Sequence, residues 1–563
     1  MSGILSSTNR AELVRDLDGS LFDVVVIGGG VTGCGVALDA AQRGLSVLLV
    51  EAVDLAAGTS SKSTKLIHGG LRYLEQRDFP LVREALTERG RMVATLCPHL
   101  VKPLPFLFPL VKGVVERGYV GAGVAIYDGL AVTGGDKLPR HAHLGRRAAI
   151  ERFPSLRSDM LTGAIQYWDA QVDDARHTLV VARSAASLGA KILTGTRVVG
   201  LRRSPTGAVS GAQLEVSSDR ISSDEVSSEE VSTGSGVQMV DVGSRVVINA
   251  TGAWSGQTEQ LAGRTSLSVA TSKGVHLVVP AERITGTVAL ITKTSVSVLF
   301  VIPFGHNWLI GTTDTPYSGN VDDPQADSDD VDYLLTEANR WLTSDLSRND
   351  IIGVFAGLRP LIADNRASAT TTLSREHLTT RPFPGLVSIA GGKYTTYRVM
   401  AADAVDAATA DLGTIRGSGT AELPLWGADG YEDAKAGAGE WSRRLGVSID
   451  QVHRLLGRYG GAITEVAEVI ALDPSRVTML AGASPYLEAE IVVGARFEGA
   501  RTLDDVLRRR TRIAFDSQDR GRSAAPRVAQ LLAAELGWGP DRQASETDQW
   551  FQAIDRELLL EGL

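Results

Sequence analysis

The sequence contains very little cysteine and has no long apolar run. Cys34 and Cys97 are the only cysteines among 563 residues, which excludes a disulfide framework and a zinc site built from four thiolates. No apolar run reaches the roughly 18 residues of a membrane-spanning helix, so we expect no such helix. The first residues lack a basic start followed by an apolar stretch, so we expect no signal peptide and a cytoplasmic protein.

The charge balance and the histidines give no support for nucleic-acid binding or for a metal site. Lysine and arginine total 57, aspartate and glutamate total 66, and the net charge is −9 with a pI near 5.6. Such a balance gives no electrostatic reason to expect binding to nucleic acid. His141 and His143 are close in sequence, but no carboxylate or thiolate beside them completes a ligand set, so we expect no metal.

Glycine is plentiful, with 60 residues, and one cluster carries a recognisable pattern. Gly28, Gly30 and Gly33 fit G-x-G-x-x-G between a short apolar run and a stretch of small residues, which predicts a strand, a tight turn and a helix. These glycines allow a pyrophosphate to approach the helix N-terminus. Glu51 ends the next apolar run, where a carboxylate accepts hydrogen bonds from ribose hydroxyls. The segment therefore predicts a Rossmann-like α/β domain that binds a dinucleotide.

Three strand-to-glycine crossings, far apart in the chain, favour FAD over NAD. They lie at 58–73, at 246–254 and at 388–398. Crossings of this kind, if they converge, line one extended cofactor lying across a parallel sheet. The residues that we predict to contact FAD are Gly28, Gly30, Gly33, Glu51, Thr59, Ser60, Ser61, His68, Gly69, Gly70, Thr251, Gly252, Gly391, Gly392, Lys393 and Thr395.

The remaining pattern predicts a change of architecture along the chain. Short β-rich runs fill about 194–310, and 216–236, rich in serine and acids, is interpreted as a solvated loop between strands. Residues 411–430 are typical of a linker, and helical periodicity follows over 431–563, which predicts a separate helical C-terminal domain.

Several segments closely resemble motifs of the FAD-dependent glycerol-3-phosphate dehydrogenases. The most specific are HGGLRYLE at 68–75 and GGKYTTYR at 391–398, and others are VINATGAWS, SKGVHLVVP and LRRRTRIAF. The resemblance covers effectively the whole chain, and only the insertion at 216–236 departs from the common pattern.

This resemblance implies a fold and a reaction. The fold is a Rossmann-like FAD-binding domain interleaved with a β-rich substrate-binding domain, plus a helical C-terminal cap. The reaction is oxidation of sn-glycerol 3-phosphate to dihydroxyacetone phosphate, with hydride passing from C2 to flavin N5 and electrons passing on to a membrane quinone. The implied FAD-binding segments are about 20–100, 170–200, 243–262 and 350–410, and the implied substrate segments are about 101–169 and 263–349.

The resemblance also assigns residues to the substrate. A phosphate dianion favours charge-assisted donors, and the residues implied to surround it are Arg72, Tyr73, Arg359, Arg375 and Lys393. The chemical step needs an acceptor for the C2 hydroxyl proton, a task suited to histidine. His276 resembles the family's candidate base, Asp314 is a second candidate for the hydrogen-bond network, and Arg359 could stabilise a developing alkoxide.

Membrane contact and the electron acceptor stay open at this point. Residues 102–114 are apolar and flanked by lysine, and Arg508, Arg509, Arg510 and Arg512 form a basic run, which together suit an interfacial site. The alternative is a buried segment and a solvated helix face. The resemblance favours peripheral attachment at the inner face of the cell membrane, and we also expect a homo-oligomer. The rival functions are an oxidase that reduces O2 to hydrogen peroxide and a flavin amino-acid or amine oxidase.

Overall fold

Two mixed β-sheets and a helical C-terminal region make up the protein in this computed structural model, which describes residues 3–217, 237–294, 297–362, 376–483 and 485–563. The insertion at 216–236 thus lies almost entirely outside the described residues, as does Arg375. Strands and helices are numbered in chain order.

The first sheet has eight strands in the described residues, of which six lie in the order β17-β18-β10-β1-β2-β7. Its four central pairings are parallel, whereas β17, β9 and β8 pair antiparallel at its margins. The strands are β1 (Leu21–Ile27), β2 (Val47–Val50), β7 (Lys191–Leu193), β8 (Thr196–Arg203), β9 (Val209–Ser217), β10 (Val237–Asn249), β17 (His377–Phe383) and β18 (Leu386–Gly391).

The apolar runs of β1 and β2 form the centre of this sheet, with helices packed on one face and residues of β9 and β10 on the other. Val24, Val25 and Val26 are fully buried, as expected for a parallel strand with two covered faces. Helices α2 and α7 pack on each other and α10 packs on α2. The predicted strand–turn–helix–strand unit at 22–50 is thereby confirmed.

The second sheet has ten strands in the described residues, with the main order β15-β11-β14-β13-β12-β4-β6-β3. Strand β16 pairs with β11, and β5 pairs with β6. The strands are β3 (Leu66–Ile67), β4 (Lys102–Leu110), β5 (Ala142–Gly145), β6 (Gly163–Gln171), β11 (Val269–Pro280), β12 (Ala289–Lys293), β13 (Val298–Phe304), β14 (Asn307–Gly311), β15 (Thr315–Tyr317) and β16 (Gly353–Ile362).

Two of the segments implied to bind FAD contribute strands to both sheets. Within about 20–100 and 350–410, β3 and β16 pair in the second sheet. The chain crosses between the sheets inside these segments, so each of them contributes to both layers.

Helices cover the sheets and form the C-terminal region. Those before residue 413 are α1 (Ser7–Arg15), α2 (Val31–Gln42), α3 (Arg72–Glu75), α4 (Phe79–Arg91), α5 (Val114–Thr133), α6 (Arg146–Arg152), α7 (Asp174–Ser187), α8 (Ser255–Gln260), α9 (Ser328–Trp341), α10 (Tyr397–Ala407) and α11 (Thr409–Leu412). Those after it are α12 (Tyr431–Ala436), α13 (Ala438–Leu445), α14 (Ile449–Tyr459), α15 (Ile463–Leu472), α16 (Glu488–Arg496), α17 (Ile513–Asp516), α18 (Ala525–Leu536) and α19 (Pro540–Glu561).

Most of the two segments that suggested an interfacial site is buried, although Lys112 and Val114, at the end of the segment 102–114, are exposed. Residues 102–110 form β4, which pairs with β6 on one side and β12 on the other. Arg509 and Arg510 are buried in ion pairs with Asp54. The apolar residues of β4 therefore belong to a sheet. The basic residues Arg509 and Arg510 belong to a contact between the C-terminal domain and Asp54. Among the helices that the structure describes, none combines the length and apolarity needed to span a bilayer.

Candidate active site

A cavity of about 860 Å3 lies between the two sheets. It is lined by chain segments that are remote in sequence, among them the turn after β1, the loop 57–68, the turn after β10, strand β16 and the turn after β18. The predicted residues that line it are Gly28, Gly30, Glu51, Thr59, Ser60, Ser61, His68, Tyr73, Thr251, Gly252, His276, Arg359, Gly391, Gly392, Lys393 and Thr395.

Gly28, in the turn after β1, and Gly33, in the first turns of α2, leave no room for side chains. Gly28 has φ +109°, and a Cβ there would lie 2.8 Å from the carbonyl oxygen of Ala250. A Cβ at Gly33 would lie 1.9 Å from the oxygen of Gly28, so Gly33 permits close packing rather than lining the cavity. The first turn of α2 consequently faces the cavity through Gly30, whose Cβ would fill the space beside Ser60 Oγ. This cradle suits a diphosphate at a helix N-terminus.

Glu51 lies at the end of β2 and is anchored by backbone N–H groups. Oε2 accepts from Gly29 N at 2.6 Å, and Oε1 accepts from Val53 N at 2.8 Å. Burial raises the pKa of Glu51, although these two hydrogen bonds oppose that shift. The fixed carboxyl group keeps further lone pairs for ribose hydroxyls, since each oxygen accepts more than one hydrogen bond.

The crossings at 58–73 and at 388–398 meet at the end of the cavity that is far from the turn after β1. His68 N donates to Thr395 Oγ1 at 3.1 Å, and Lys393 Nζ donates to the oxygen of Gly69 at 3.3 Å. Thr251 and Gly252 line the cavity beside the turn after β1. The structure therefore brings together the three segments that the sequence placed around FAD, and the long glycine-lined cavity fits an extended dinucleotide.

Two cationic side chains also line the cavity. Arg359 projects from β16, with Nη1 donating to Thr313 O at 3.1 Å and Nη2 donating to Thr312 Oγ1 at 2.9 Å. Lys393 Nζ lies 3.6 Å from the ring centroid of Tyr73. The cavity wall therefore carries one cation from β16 and one from the turn after β18.

The histidine expected to act as the base is deeply buried. His276 on β11 is 2% exposed, and its Nε2 lies 3.0 Å from Thr64 Oγ1. Its ring stacks on Phe355 at 4.9 Å between centroids. Burial, followed by the positive charges of Arg359 and Lys65, holds the pKa of His276 well below its ordinary 6.5. The imidazole is thus neutral near neutral pH and is able to accept a proton.

The chain matches known proteins over nearly its whole length. The family described as FAD dependent oxidoreductase matches residues 23–398, and the family described as the C-terminal domain of alpha-glycerophosphate oxidase matches residues 418–543. Glycerol-3-phosphate dehydrogenase 2 of Mycobacterium tuberculosis (strain ATCC 25618 / H37Rv) is 45% identical, covering 99% of this chain and 92% of the relative. The chain belongs to the FAD-dependent glycerol-3-phosphate dehydrogenases.

Two further relatives agree with this membership. The mitochondrial glycerol-3-phosphate dehydrogenase of Homo sapiens is 35% identical and covers 94% of this chain and 73% of its own length. The crystal structure of the glycerol-3-phosphate dehydrogenase from Bacillus halodurans complexed with FAD superposes with a TM-score of 0.78 at 28% identity, covering 98% of each chain. The predicted fold class and the predicted cofactor, FAD, are confirmed.

Some predicted residues of this dehydrogenase lie outside the cavity wall or outside the described residues. Asp314 lies behind Arg359, with Nη1 3.4 Å from Asp314 Oδ1, and accepts a hydrogen bond from Ser272 Oγ. Gly69 and Gly70 shape the loop rather than line the cavity, since a Cβ at Gly70 would lie 2.3 Å from the Tyr73 ring. Arg72 begins α3, but its side chain is outside the described part, as is all of Arg375.

Sequence reasoning also missed residues that line or shape the cavity. Thr64 lies between the predicted Ser61 and His68 and faces His276. Gly274 is required beside Arg359, because a Cβ there would lie 2.6 Å from Nη2. A glycine inside an apolar strand is a signal of close approach, and it could have identified this position.

The C-terminal domain of this dehydrogenase supplies part of the wall. Arg508 and Arg509, together with Arg556 and Glu557 on α19, line the cavity on the side of Lys62. No local sequence motif predicts that these residues line the cavity, because their position depends on how the helical domain docks against the loop 57–62.

Proposed function

We propose that this protein oxidises sn-glycerol 3-phosphate to dihydroxyacetone phosphate and passes the electrons to a membrane quinone. The observation that carries the proposal is that Arg359 and Lys393 both line the glycine-lined cavity. A phosphate dianion matches two cations, whereas an amino-acid carboxylate needs less positive charge. The names of two relatives also specify glycerol 3-phosphate as the substrate of those proteins.

The chain's own residues have distinct tasks in this proposal. Arg359 and Lys393 bind the phosphate, with Tyr73 packed under the ammonium group. Asp314, Thr312 and the oxygen of Thr313 hold the Arg359 guanidinium in place. His276 accepts the proton of the C2 hydroxyl. FAD, when bound, supplies the acceptor for the hydride from C2.

An anaerobic titration tests the oxidation. Protein with bound FAD is mixed with glycerol 3-phosphate, and the flavin absorbance is followed. We expect full bleaching with glycerol 3-phosphate and little bleaching with glycerol at the same concentration. Retention of flavin colour in folded, FAD-loaded protein would overturn the proposal. Peroxide formed in proportion to turnover in air, without any need for added quinone, would favour the oxidase instead.

Peripheral attachment to the membrane is supported by a surface that includes Lys112 and Val114, the end of the predicted segment 102–114, and extends along α5. Helix α5 exposes an apolar face, with Val114 and Val115 more than four-fifths exposed. The exposed residues of this face are Val114, Val115, Gly118, Tyr119, Ala122, Ala125, Ile126, Gly129 and Val132. Exposed apolar area of this extent on one helix is characteristic of a docking surface.

The charges around α5 fit an anionic bilayer rather than open solvent. Both acidic residues of the helix accept hydrogen bonds from nearby backbone N–H groups of the same chain. Glu116 accepts from Lys112 N, and Asp128 accepts from His141 N. Exposed Lys112 precedes the helix and exposed Lys137 and Arg140 follow it. Basic groups flanking an apolar face are attracted to anionic lipids. We therefore assign α5 to the cytoplasmic leaflet.

The opposite face of α5 contacts the loop that carries His68 and Gly69. Gly69 N donates to the Tyr127 hydroxyl at 2.8 Å, and that hydroxyl donates to Asp169 at 2.6 Å. One helix, about 10 Å across, thus separates the proposed lipid surface from the loop that carries His68 and Gly69. This proximity supports a lipid-dissolved electron acceptor.

A further inference from the structure

His276 is shielded from the cavity on most of its surface. One face of its ring stacks on Phe355 with 16° between the planes. Gly311 lies at the Cδ2 edge, where a Cβ would be only 2.2 Å from that carbon. Its Nδ1 is buried and has no hydrogen-bond partner within the described part of the chain. Although His276 borders the cavity, so little of it is exposed that a base there needs a connection to the substrate.

Thr64 supplies the one hydrogen bond that the structure records for the His276 ring. Its Oγ1 lies 3.0 Å from Nε2, and Thr64 is partly exposed and lines the cavity. The hydroxyl therefore stands between the imidazole and the space for substrate. A hydroxyl both donates and accepts, so it can receive one proton while releasing another.

The backbone of Thr64 is held in place through both of its neighbours. Ser63 donates to Asp174 Oδ2 from its backbone N at 2.9 Å and from its Oγ at 2.6 Å. Lys65 Nζ pairs with Asp174 Oδ1 at 2.5 Å. Asp174 is fully buried at the start of α7, so the position of the intervening hydroxyl is fixed by a rigid element.

We propose that Thr64 relays the proton of the substrate's C2 hydroxyl to His276, so that the threonine hydroxyl, and not the imidazole, touches the substrate. The C2 hydroxyl proton passes to Thr64 Oγ1 as the threonine's own proton passes to Nε2. The C2 hydrogen leaves with its electron pair to the bound FAD. The products are a ketone, an imidazolium and an unchanged threonine. This relay rests on the proposed oxidation of glycerol 3-phosphate.

The relay requires one tautomer of His276. Nε2 must carry the lone pair that faces Thr64, so the neutral ring is protonated at Nδ1. The depressed pKa of His276 keeps the ring neutral in the resting protein. After the hydride has left, the same hydroxyl returns the proton from the imidazolium to the cavity.

Stopped-flow reduction of the FAD-loaded protein by saturating glycerol 3-phosphate tests the relay. Thr64→Val keeps the shape and removes the hydroxyl, and we expect the rate constant to fall about 100- to 1,000-fold, with FAD content retained and substrate affinity lowered by no more than about tenfold. Thr64→Ser restores the hydroxyl and should recover most of the rate. The matched control is Thr87→Val, which removes a hydroxyl bonded to Arg83 O on α4.

Two further results separate a relay from a structural role. Thr64→Val combined with His276→Asn should be no slower than His276→Asn alone, since residues that act as a unit are not additive. Nitrogen-15 NMR of histidine-labelled protein, assigned with His276→Asn, should show His276 protonated at Nδ1 and should shift in Thr64→Val.

The relay is overturned by a Thr64→Val rate within threefold of the parent rate, or by a His276 ring protonated at Nε2. If glycerol 3-phosphate fails to reduce the parent protein at all, the proposed function fails. Reduction of the parent that is unaffected by Thr64→Val removes the relay alone.

Discussion

Arg510 binds Asp54 through both terminal nitrogens of its guanidinium group. Nη1 donates to Oδ2 at 2.7 Å, and Nη2 donates to Oδ1 at 2.8 Å. Arg509 donates to the same carboxylate from Nε at 2.6 Å. Asp54 follows Glu51 at the dinucleotide end of the cavity, so this buried pair joins the helical C-terminal domain to the loop that holds the cofactor.

Removal of the Asp54 charge should destabilise the protein. Burial would by itself raise the pKa of Asp54, but Arg510 and Arg509 lower it below its ordinary 3.8. Asp54→Asn leaves two buried cations without their shared partner, and we expect the free energy of unfolding to fall by about 3–5 kcal/mol. Urea unfolding measures this change, and Asp332→Asn, at an exposed partner of Arg348, should have little effect.

The same depressed pKa sets a pH dependence. The stabilisation from Asp54 is fully present above its unfolded pKa and is lost as the pH falls through the lower folded value. The parent protein should therefore lose stability below about pH 4 more steeply than Asp54→Asn. Equal slopes for the two proteins between pH 5 and pH 3 would contradict this assignment.

Gly33→Ala should disrupt the cofactor turn. A Cβ at position 33 would overlap the oxygen of Gly28 at 1.9 Å, and neither backbone can shift without moving β1 or α2. We expect purified Gly33→Ala to retain less than a tenth of the parent's FAD. The control is Gly417→Ala, where a Cβ meets no atom within 4 Å. Normal flavin content in Gly33→Ala would refute the close packing.

Loss of either cation at the substrate end should weaken phosphate binding. A hydrogen bond to a charged group contributes about 1.5–3 kcal/mol, so Arg359→Met and Lys393→Met should each raise the Kd for glycerol 3-phosphate about 10- to 100-fold. Anaerobic flavin titration gives this constant. Arg147→Met removes a cation that is 94% exposed and should leave the constant unchanged. Unaltered affinity in both cavity variants would place the phosphate elsewhere.

Charges on α5 should release the protein from lipid. Val115→Asp with Ile126→Asp places two carboxylates on the apolar face, and we expect flotation with anionic vesicles to fall at least fivefold. Leu559→Asp changes an exposed residue of α19 and serves as the control. If the parent protein stays unbound and the double variant loses a dimer instead, the α5 face is a contact between copies of the chain.

Much of the cofactor site was predictable from local pattern. Gly28, Gly30, Gly33 and Glu51 occur at spacings that the backbone of a strand–turn–helix unit demands, so their roles follow from short-range geometry. Prediction of Lys393 and Arg359 depended on family motifs, since a single cation carries no positional signal. The burial of β4 was ambiguous, because an apolar run with lysines suits a sheet interior and a membrane surface equally well.

The sequence alone determined the Rossmann-like unit, the cofactor class and the family, because each depends on short motifs whose residues are close together in the chain. Only the tertiary structure decided which charges are partnered and which apolar faces are covered. Arg509 and Arg510 form a basic run in sequence but face Asp54 in a buried contact, whereas α5 keeps its apolar face uncovered. Burial and charge pairing depend on contacts between segments hundreds of residues apart. A local sequence pattern therefore cannot predict which residues are buried or paired.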